Sequence, residues 1–206
     1  MEATKPLILS SKNLLFSSDL HFGHKNILRY TKRHLRYGET LETLVPSNIT
    51  RWKEVIELMN EDIINQWNSV VKPDSTVILL GDNGFLGINK LNDLMNRLNG
   101  TIHLVVGNHD EHIPDRFASV SYYLELIADG QQIVCSHYPM YRWNQISKGS
   151  WHLYGHEHGN LIGDPVLETL KSMDVGIDCH SEFRPFSMTE VREVMKAKRE
   201  FKYHDS

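Results

Sequence analysis

Residues 14–21 read Leu14-Leu15-Phe16-Ser17-Ser18-Asp19-Leu20-His21, an apolar run that breaks into a carboxylate and an imidazole two residues apart. Leu14 to Ser17 predicts a short buried strand. The same form recurs along the chain: Val77 to Leu80 runs into Gly81-Asp82-Asn83, Ile102 to Val106 into Gly107-Asn108-His109-Asp110, and two further segments end in Ser136-His137 and Gly155-His156-Glu157-His158. Between them lie helical patterns. Trp52, Val55, Ile56, Met59, Ile63 and Trp67 repeat at spacings of three and four, and Leu91, Leu94, Met95 and Leu98 do so before the stop signal Asn99-Gly100. Leu7 to Leu9 reads as another strand, and Asp129-Gly130 between Tyr122 to Ile127 and Gln132 to Ser136 signals a hairpin. A last helix is expected from about Thr189 to Lys198, capped by Ser187 or Thr189. This alternation is that of an α/β protein, and in such proteins residues just past the strand ends gather on one edge of the sheet. Five polar clusters from distant parts of the chain are therefore expected to meet.

Composition sets the outer bounds. A length of 206 residues predicts a single domain over 1–206, and 40% hydrophobic with 23% charged residues is the composition of an ordinary globular protein. The formal charge of -4 argues against a protein that coats nucleic acid or an anionic membrane by bulk charge, so an anionic ligand has to be held locally. Cys135 and Cys179 lie outside any Cys-x-x-Cys spacing, which gives neither a disulfide framework nor a cysteine-rich zinc module. The first residues lack the apolar core of a signal peptide, and no apolar run approaches the ~20 residues of a membrane span, so the expected location is cytoplasmic with no membrane partner. The unusual number is 12 histidines.

Asp19 with His21, and His156 with His158, stand at i and i+2, a spacing that on or beyond a strand turns both side chains the same way. Mixed carboxylate and imidazole suit manganese, iron, zinc or nickel better than calcium or magnesium. Adding Asp82, Asn108 and His137 gives seven candidate ligands, too many for one tetrahedral zinc. Two metals sharing a bridging carboxylate account for the count.

The order Asp-x-His, Gly-Asp, Gly-Asn-His-Asp, lone His, Gly-His-x-His resembles the five-motif signature of the calcineurin-like metallophosphoesterases, from about Phe16 to the C-terminus. The wider wording, Ser-Asp-Leu-His-Phe-Gly-His, Ser-His-Tyr-Pro-Met and Trp-His-Leu-Tyr-Gly-His-Glu-His, is similar to that of the small bacterial and phage-encoded members. The resemblance implies a four-layer α/β/β/α sandwich of two mixed sheets with helices outside and a dimetal site at the strand ends. It implies that Asp19, His21, Asp82 and His158 hold one divalent metal, that Asp82, Asn108, His137 and His156 hold the other, and that Asp82 bridges them. It further implies hydrolysis of a phosphate mono- or diester, nucleotide-type or another small phosphoester, by a hydroxide held between two metals, manganese before iron, zinc or nickel. His109 then takes the part of general acid, as an imidazole titrating near neutral pH can, with Asp110 as its orienting carboxylate. One departure stands out: where the family's second motif usually carries a further Asp, this chain has Phe85 in Gly81-Asp82-Asn83-Gly84-Phe85.

Other readings stay open beside this one. A nuclease acting on DNA or RNA needs a longer basic groove than Lys25, Arg29, Lys32, Arg33 and Arg36 supply, and a non-catalytic scaffold needs no intact ligand set. That basic run, interleaved with Tyr30 and Tyr37, is either a solvated helix face or a wall for a nucleotide. Arg142 and Trp143 either line the cleft or belong to surface and core. His34, His103, His112 and His204 are expected to be structural, as are His24, His152 and His180 on balance, and Cys135 is expected to be buried in a strand. Residues 31–51 carry no pattern that assigns their structure.

Overall fold

The computed structural model describes residues 5–44 and 48–199; His204 lies outside them. Two mixed sheets of five strands face each other. The first is ordered β1 (Leu7–Leu9), β6 (Leu124–Ala128), β7 (Gln131–Cys135), β8 (Trp151–Tyr154), β9 (Ser172–Asp174), and the second β10 (Phe186–Ser187), β2 (Leu14–Ser17), β3 (Thr76–Leu79), β4 (Thr101–Val105), β5 (Ser119–Ser121). In the second sheet β2, β3, β4 and β5 are parallel neighbours; in the first, β7, β8 and β9 are. The carboxyl ends of β2, β3 and β4, and those of β7 and β8, carry the five polar clusters.

Alternation along the strands sorts the apolar residues into layers. Leu15, Val77, Leu79, Ile102 and Leu104 face α3 (Ile49–Val70), whose Trp52, Val55, Met59, Ile63 and Trp67 form one buried stripe, and α4 (Ile88–Met95). Leu14, Phe16, Ile78, Leu80 and Val105 point the other way, against Leu126, Ile133 and Leu153 of the first sheet. With both faces covered, the central strands read as unbroken apolar runs. On the outer face of the first sheet, Val134 and Tyr154 are covered by Trp143, Ile146, Leu167 and Leu170, carried by loops and by short turns of 3-10 helix rather than by a long helix. β1 to β4, the hairpin and the helices α3, α4 and α5 (Met188–Ala197) fall within a few residues of where the sequence places them, whereas the short strands β5, β9 and β10 have no counterpart in that reading. Ala128 pairs with Gln131 across Asp129 (φ 48°) and Gly130 (φ 85°), the positive dihedrals of a two-residue hairpin turn. α5 starts from a capping box between Ser187 and Glu190.

Residues 27–36 form two single-turn helices, α1 (Ile27–Tyr30) and α2 (Arg33–Arg36), with Ile27, Leu28 and Arg33 turned inward. Among the described residues no helix is long and apolar enough to cross a membrane.

Candidate metal centre

Asp19 and His21 follow β2, Asp82 follows β3 and Asn108 follows β4, while His137 follows β7 and His156 and His158 follow β8. Each sheet thus delivers its ligands from adjacent parallel strands, and the two sets converge where the sheets meet. Ser18 lies at this junction: its hydroxyl donates to the Leu80 carbonyl at 2.8 Å, and its own carbonyl accepts from the Ile177 N–H at 3.1 Å.

The i, i+2 pairs reach the centre by a different backbone from the extended one expected of them. Asp19 (φ 60°), His21 (φ 54°), Asp82 (φ 57°), His156 (φ 72°) and His158 (φ 49°) all lie in the left-handed region. For residues with a side chain this costs roughly 1–3 kcal/mol each and persists only where the surroundings enforce it. Here they do: Asp19 N–H donates to Gly81 O at 3.0 Å, His21 N–H to Asp82 O at 2.9 Å, and His156 N–H to Asp19 Oδ2 at 2.9 Å. Two glycines permit the close packing. A Cβ on Gly155 would lie 1.9 Å from Ser18 Oγ and 2.6 Å from Asp19 Oδ2, and one on Gly107 would lie 2.3 Å from Asp82 Oδ1.

The ligand atoms form two triads, Asp19 with His21 and His158, and Asp82 with His137 and His156; within each triad they lie within 4.8 Å of one another. Asp82 joins the two. Its Oδ2 is 3.5 Å from His21 Nε2 and its Oδ1 is 3.5 Å from His137 Nε2. Asn108 places its amide oxygen 2.9 Å from His137 Nε2, so all seven expected residues are brought together.

Hydrogen bonding shows what these atoms lack. His137 Nδ1 is 2.6 Å from the Leu80 carbonyl, which can only accept, so in the neutral ring Nε2 is a lone pair facing the oxygens of Asp82 and Asn108. His158 Nδ1 is 2.7 Å from Asp178 Oδ2, which turns its Nε2 to the first triad; burial opposes a charge on this ring, but Asp178 and Asp19 outweigh it and raise its pKa, so a metal bound at Nε2 would displace a proton. Asp19 Oδ1 and both ring nitrogens of His21 are buried without a hydrogen-bond partner. Burial, reinforced by Asp174 and Asp82 and eased only in part by His158, pushes the Asp19 carboxyl up to about 8, and burial followed by the Arg33 charge keeps His21 neutral. Buried oxygens and ring nitrogens that converge without hydrogen-bond partners fit metal cations, which would take the place of the proton that burial leaves on Asp19, and carboxylates, imidazoles and an amide form a donor set for manganese, iron, zinc or nickel.

The surroundings contain one residue that the sequence did not point to, Asp178, and one that it left between two other readings, Arg33. Asp178 orients His158 and is itself gripped by Arg33, with Nε to Oδ1 at 2.8 Å and Nη2 to Oδ2 at 2.7 Å. Arg33 also donates to the carbonyls of Asp19 (2.6 Å) and Leu20 (3.0 Å), and it is 3% exposed, a buried clamp rather than part of a solvated face. Burial opposes ionisation of Asp178, but Arg33 and His158 outweigh it and hold the carboxyl well below the usual range. Tyr138, exposed, stands edge-on to the His156 ring at 4.5 Å.

Asp110 has a different task from the one expected. Its carboxylate accepts from the N–H groups of Asp82 (3.0 Å), Asn83 (2.8 Å) and Gly107 (2.8 Å) and from the Asn83 amide (2.7 Å). These four donors fill the roughly four acceptor sites of a carboxylate, so Asp110 fixes the loop that carries Asp82 and has no lone pair left to orient His109. The His109 N–H donates to Asp82 Oδ1 at 2.9 Å, and its ring packs on Phe85 at 4.6 Å. Phe85 in turn stacks on His24 at 3.7 Å, and burial, then neighbouring positive charge, pulls His24 down to about 4. At the position of the departed Asp, the chain therefore builds an apolar wall beside His109.

Of the other described histidines, four are held by hydrogen bonds and one lines a cavity. His152 is buried and accepts from the Met140 N–H at 3.1 Å, His34 meets the Leu28 carbonyl, His103 meets Ser119, and His180 meets Glu190. His112 lines a cavity of about 230 Å³ with Phe85 and His109. Trp143 is core, its Nε1 donating to Ser150, while Arg142 donates to the Tyr141 carbonyl. Of the basic run, Arg33 is buried against Asp178 and Arg36 is paired with Asp62, which leaves Lys25, Arg29 and Lys32 exposed and without a carboxylate partner among the described residues.

Fold and site together are consistent with a metal-dependent hydrolase: a two-sheet α/β/β/α sandwich carries two candidate carboxylate–imidazole metal triads joined by Asp82. No family model matches the chain. Among curated proteins it is similar to the uncharacterised protein MJ1445 of Methanocaldococcus jannaschii, 28% identical over 185 residues that cover 87% of this chain and 89% of that one. Among solved structures it is similar to AQ665 of Aquifex aeolicus, a protein of unknown function, at a TM-score of 0.59 and 21% identity over 88% of this chain and 98% of that one. The second likeness concerns the fold.

Proposed function

We propose that the chain is a dimetal phosphoesterase of the calcineurin-like type that hydrolyses phosphate mono- or diesters, with manganese as the first choice of metal. The observation that supports this best is the division of the Asp82 carboxylate, one oxygen turned to His21 and the other to His137, each at 3.5 Å. Asp19, His21 and His158 would hold one ion with Asp82, and Asn108, His137 and His156 the other. Bound there, the ions supply Lewis acidity toward the phosphoryl oxygens and generate a nucleophile from water at neutral pH. Two dications against Asp19 and Asp82 also leave the site locally positive, which draws a phosphate anion to a chain of net charge -4.

His109 supplies the proton. Its peptide N–H is tied to Asp82 Oδ1, so its ring stands beside the bridging carboxylate, where it can donate to the leaving oxygen. Phe85 backs that ring and limits its rotation in place of a carboxylate partner.

The test is hydrolysis of bis-p-nitrophenyl phosphate and of an alkyl diester in manganese. His109→Ala is expected to lose about 100-fold or more on the alkyl leaving group and much less on p-nitrophenolate, which leaves without a proton. Equal losses on the two would remove His109 from the acid role. A chain with neither metal nor hydrolysis would be a scaffold, and a strong preference for short nucleic acids over mononucleotide esters would make it a nuclease.

A further inference from the structure

The residues left over by the metal centre converge on one cleft. It measures about 590 Å³, within the range of small-molecule sites, and it opens beside His158 between the α1–α2 segment and the loops after β8 and β9. Its lining carries four cations, Arg29, Lys32, Arg33 and Arg36, against the one carboxylate of Asp178. Arg33 is consumed by Asp178 and Arg36 by Asp62, but Arg29 and Lys32 have no partner among the described residues. Unpaired cations are unremarkable on an open surface. Here they border a concave space that contains a metal ligand, in a chain that is acidic overall. The lining also offers an apolar surface on each side, Tyr30 on α1 at 74% exposure and Ile162 on the loop after β8 at 72%.

We infer that this cleft is a subsite for a second phosphate group, one that is not hydrolysed, on a nucleoside-type substrate whose reacting phosphate lies at the metal centre; the inference rests on the phosphoesterase reading. Arg29 presents a planar fork that can bind two phosphate oxygens at once, and Lys32 adds a mobile point charge. Tyr30 gives the base or sugar a flat face to lie against. A mononucleotide ester with one phosphate leaves both cations unused, whereas a substrate with a further phosphate engages them.

Two probes separate these cases: thymidine 5′-(p-nitrophenyl phosphate) and the same compound with an added 3′-phosphate, both assayed with the manganese-loaded protein. The 3′-phosphorylated probe is expected to show a KM about tenfold lower, the usual scale of a charge-assisted contact at a half-open site. Arg29→Ala/Lys32→Ala is expected to close that gap by raising KM for the 3′-phosphorylated probe alone. Calorimetry with thymidine 3′,5′-bisphosphate and thymidine 5′-monophosphate reads the same preference without turnover. Equal KM values and equal affinities for the two members of each pair overturn the subsite, as does a gap that survives in the double variant. If nothing is hydrolysed but the bisphosphate still binds more tightly and loses that advantage in the double variant, the subsite stands and the phosphoesterase reading falls.

Discussion

Replacing Asp178 by Asn removes the one charge that both Arg33 and His158 depend on. Arg33 is 3% exposed, so its guanidinium cannot turn to water for compensation. Removing one partner of a buried ion pair costs about 3–5 kcal/mol, and because Arg33 keeps its bonds to the carbonyls of Asp19 and Leu20, the lower end, about 3 kcal/mol, is expected. The same change loosens the ring of His158, and the loss of such an orienting carboxylate typically weakens metal binding 10–100-fold, that is about 1.4–2.7 kcal/mol. Urea denaturation of the metal-free protein reads the first effect, and manganese titration by calorimetry reads the second. Arg97 with Glu61 serves as the comparison, since it is also a two-bond pair, at 2.6 Å in each bond, but lies about half exposed. Glu61→Gln should cost only about 0–1 kcal/mol and leave metal affinity alone. If Asp178→Asn cost no more than Glu61→Gln and bound manganese as tightly as the parent, the clamp from Arg33 through Asp178 to His158 would have no role in the site.

Other consequences follow from the same geometry. Gly155→Ala puts a methyl 1.9 Å from Ser18 Oγ at the seam of the two sheets, so a loss of about 1–3 kcal/mol and weaker manganese binding are expected by thermal melting and titration. In Asp110→Asn the loop of Asp82 loses an acceptor site; metal affinity should fall while the pH profile of residual hydrolysis keeps its shape, because Asp110 does not orient His109, and a displaced profile would restore the expected partnership. Glu190 carries the acid dependence of α5. Burial opposes its ionisation, but hydrogen bonds from Arg184 and Ser187 outweigh it and bring the carboxyl to about 2 from 4.5. A depressed carboxyl stabilises the fold above about pH 4.5 and loses that contribution as pH falls toward 2. Glu190→Gln should therefore lower the melting temperature at neutral pH and flatten its decline over that interval.

The strands and the long helix were legible because their residues obey one local rule at a time. Leu14 to Ser17 is apolar throughout since both its faces are covered, and Trp52 to Trp67 repeats at helical spacing since one face packs on Leu15, Val77 and Leu104. The candidate metal ligands were legible for a related reason: they are the polar residues that follow the ends of those strands. How they are held was not. Asp19, His21, Asp82, His156 and His158 adopt left-handed backbones that no spacing encodes, and the extended geometry first expected of them is replaced by strained turns locked by hydrogen bonds between loops. Arg33 and Asp178 are 145 residues apart, and nothing near either one announces the other. Arg33 even sits among four other basic residues, a context that suggested a solvated face or a nucleotide wall but not a buried clamp. Asp110 illustrates the opposite error: adjacency to His109 in sequence implied contact, while its acceptors were already taken by four N–H groups. Single-turn helices such as α1 and α2 are too short to show a period, which is why the sequence left the basic run between a solvated face and a nucleotide wall.

The central claim is that Asp82 joins two metal sites into one, and metal stoichiometry tests it most directly. Native mass spectrometry of the manganese-loaded protein should show two ions per chain, and Asp82→Ala should lose at least one of them while remaining folded by circular dichroism. A parent chain that binds no manganese, or an Asp82→Ala variant that still binds two ions with the parent's affinity, would contradict the account.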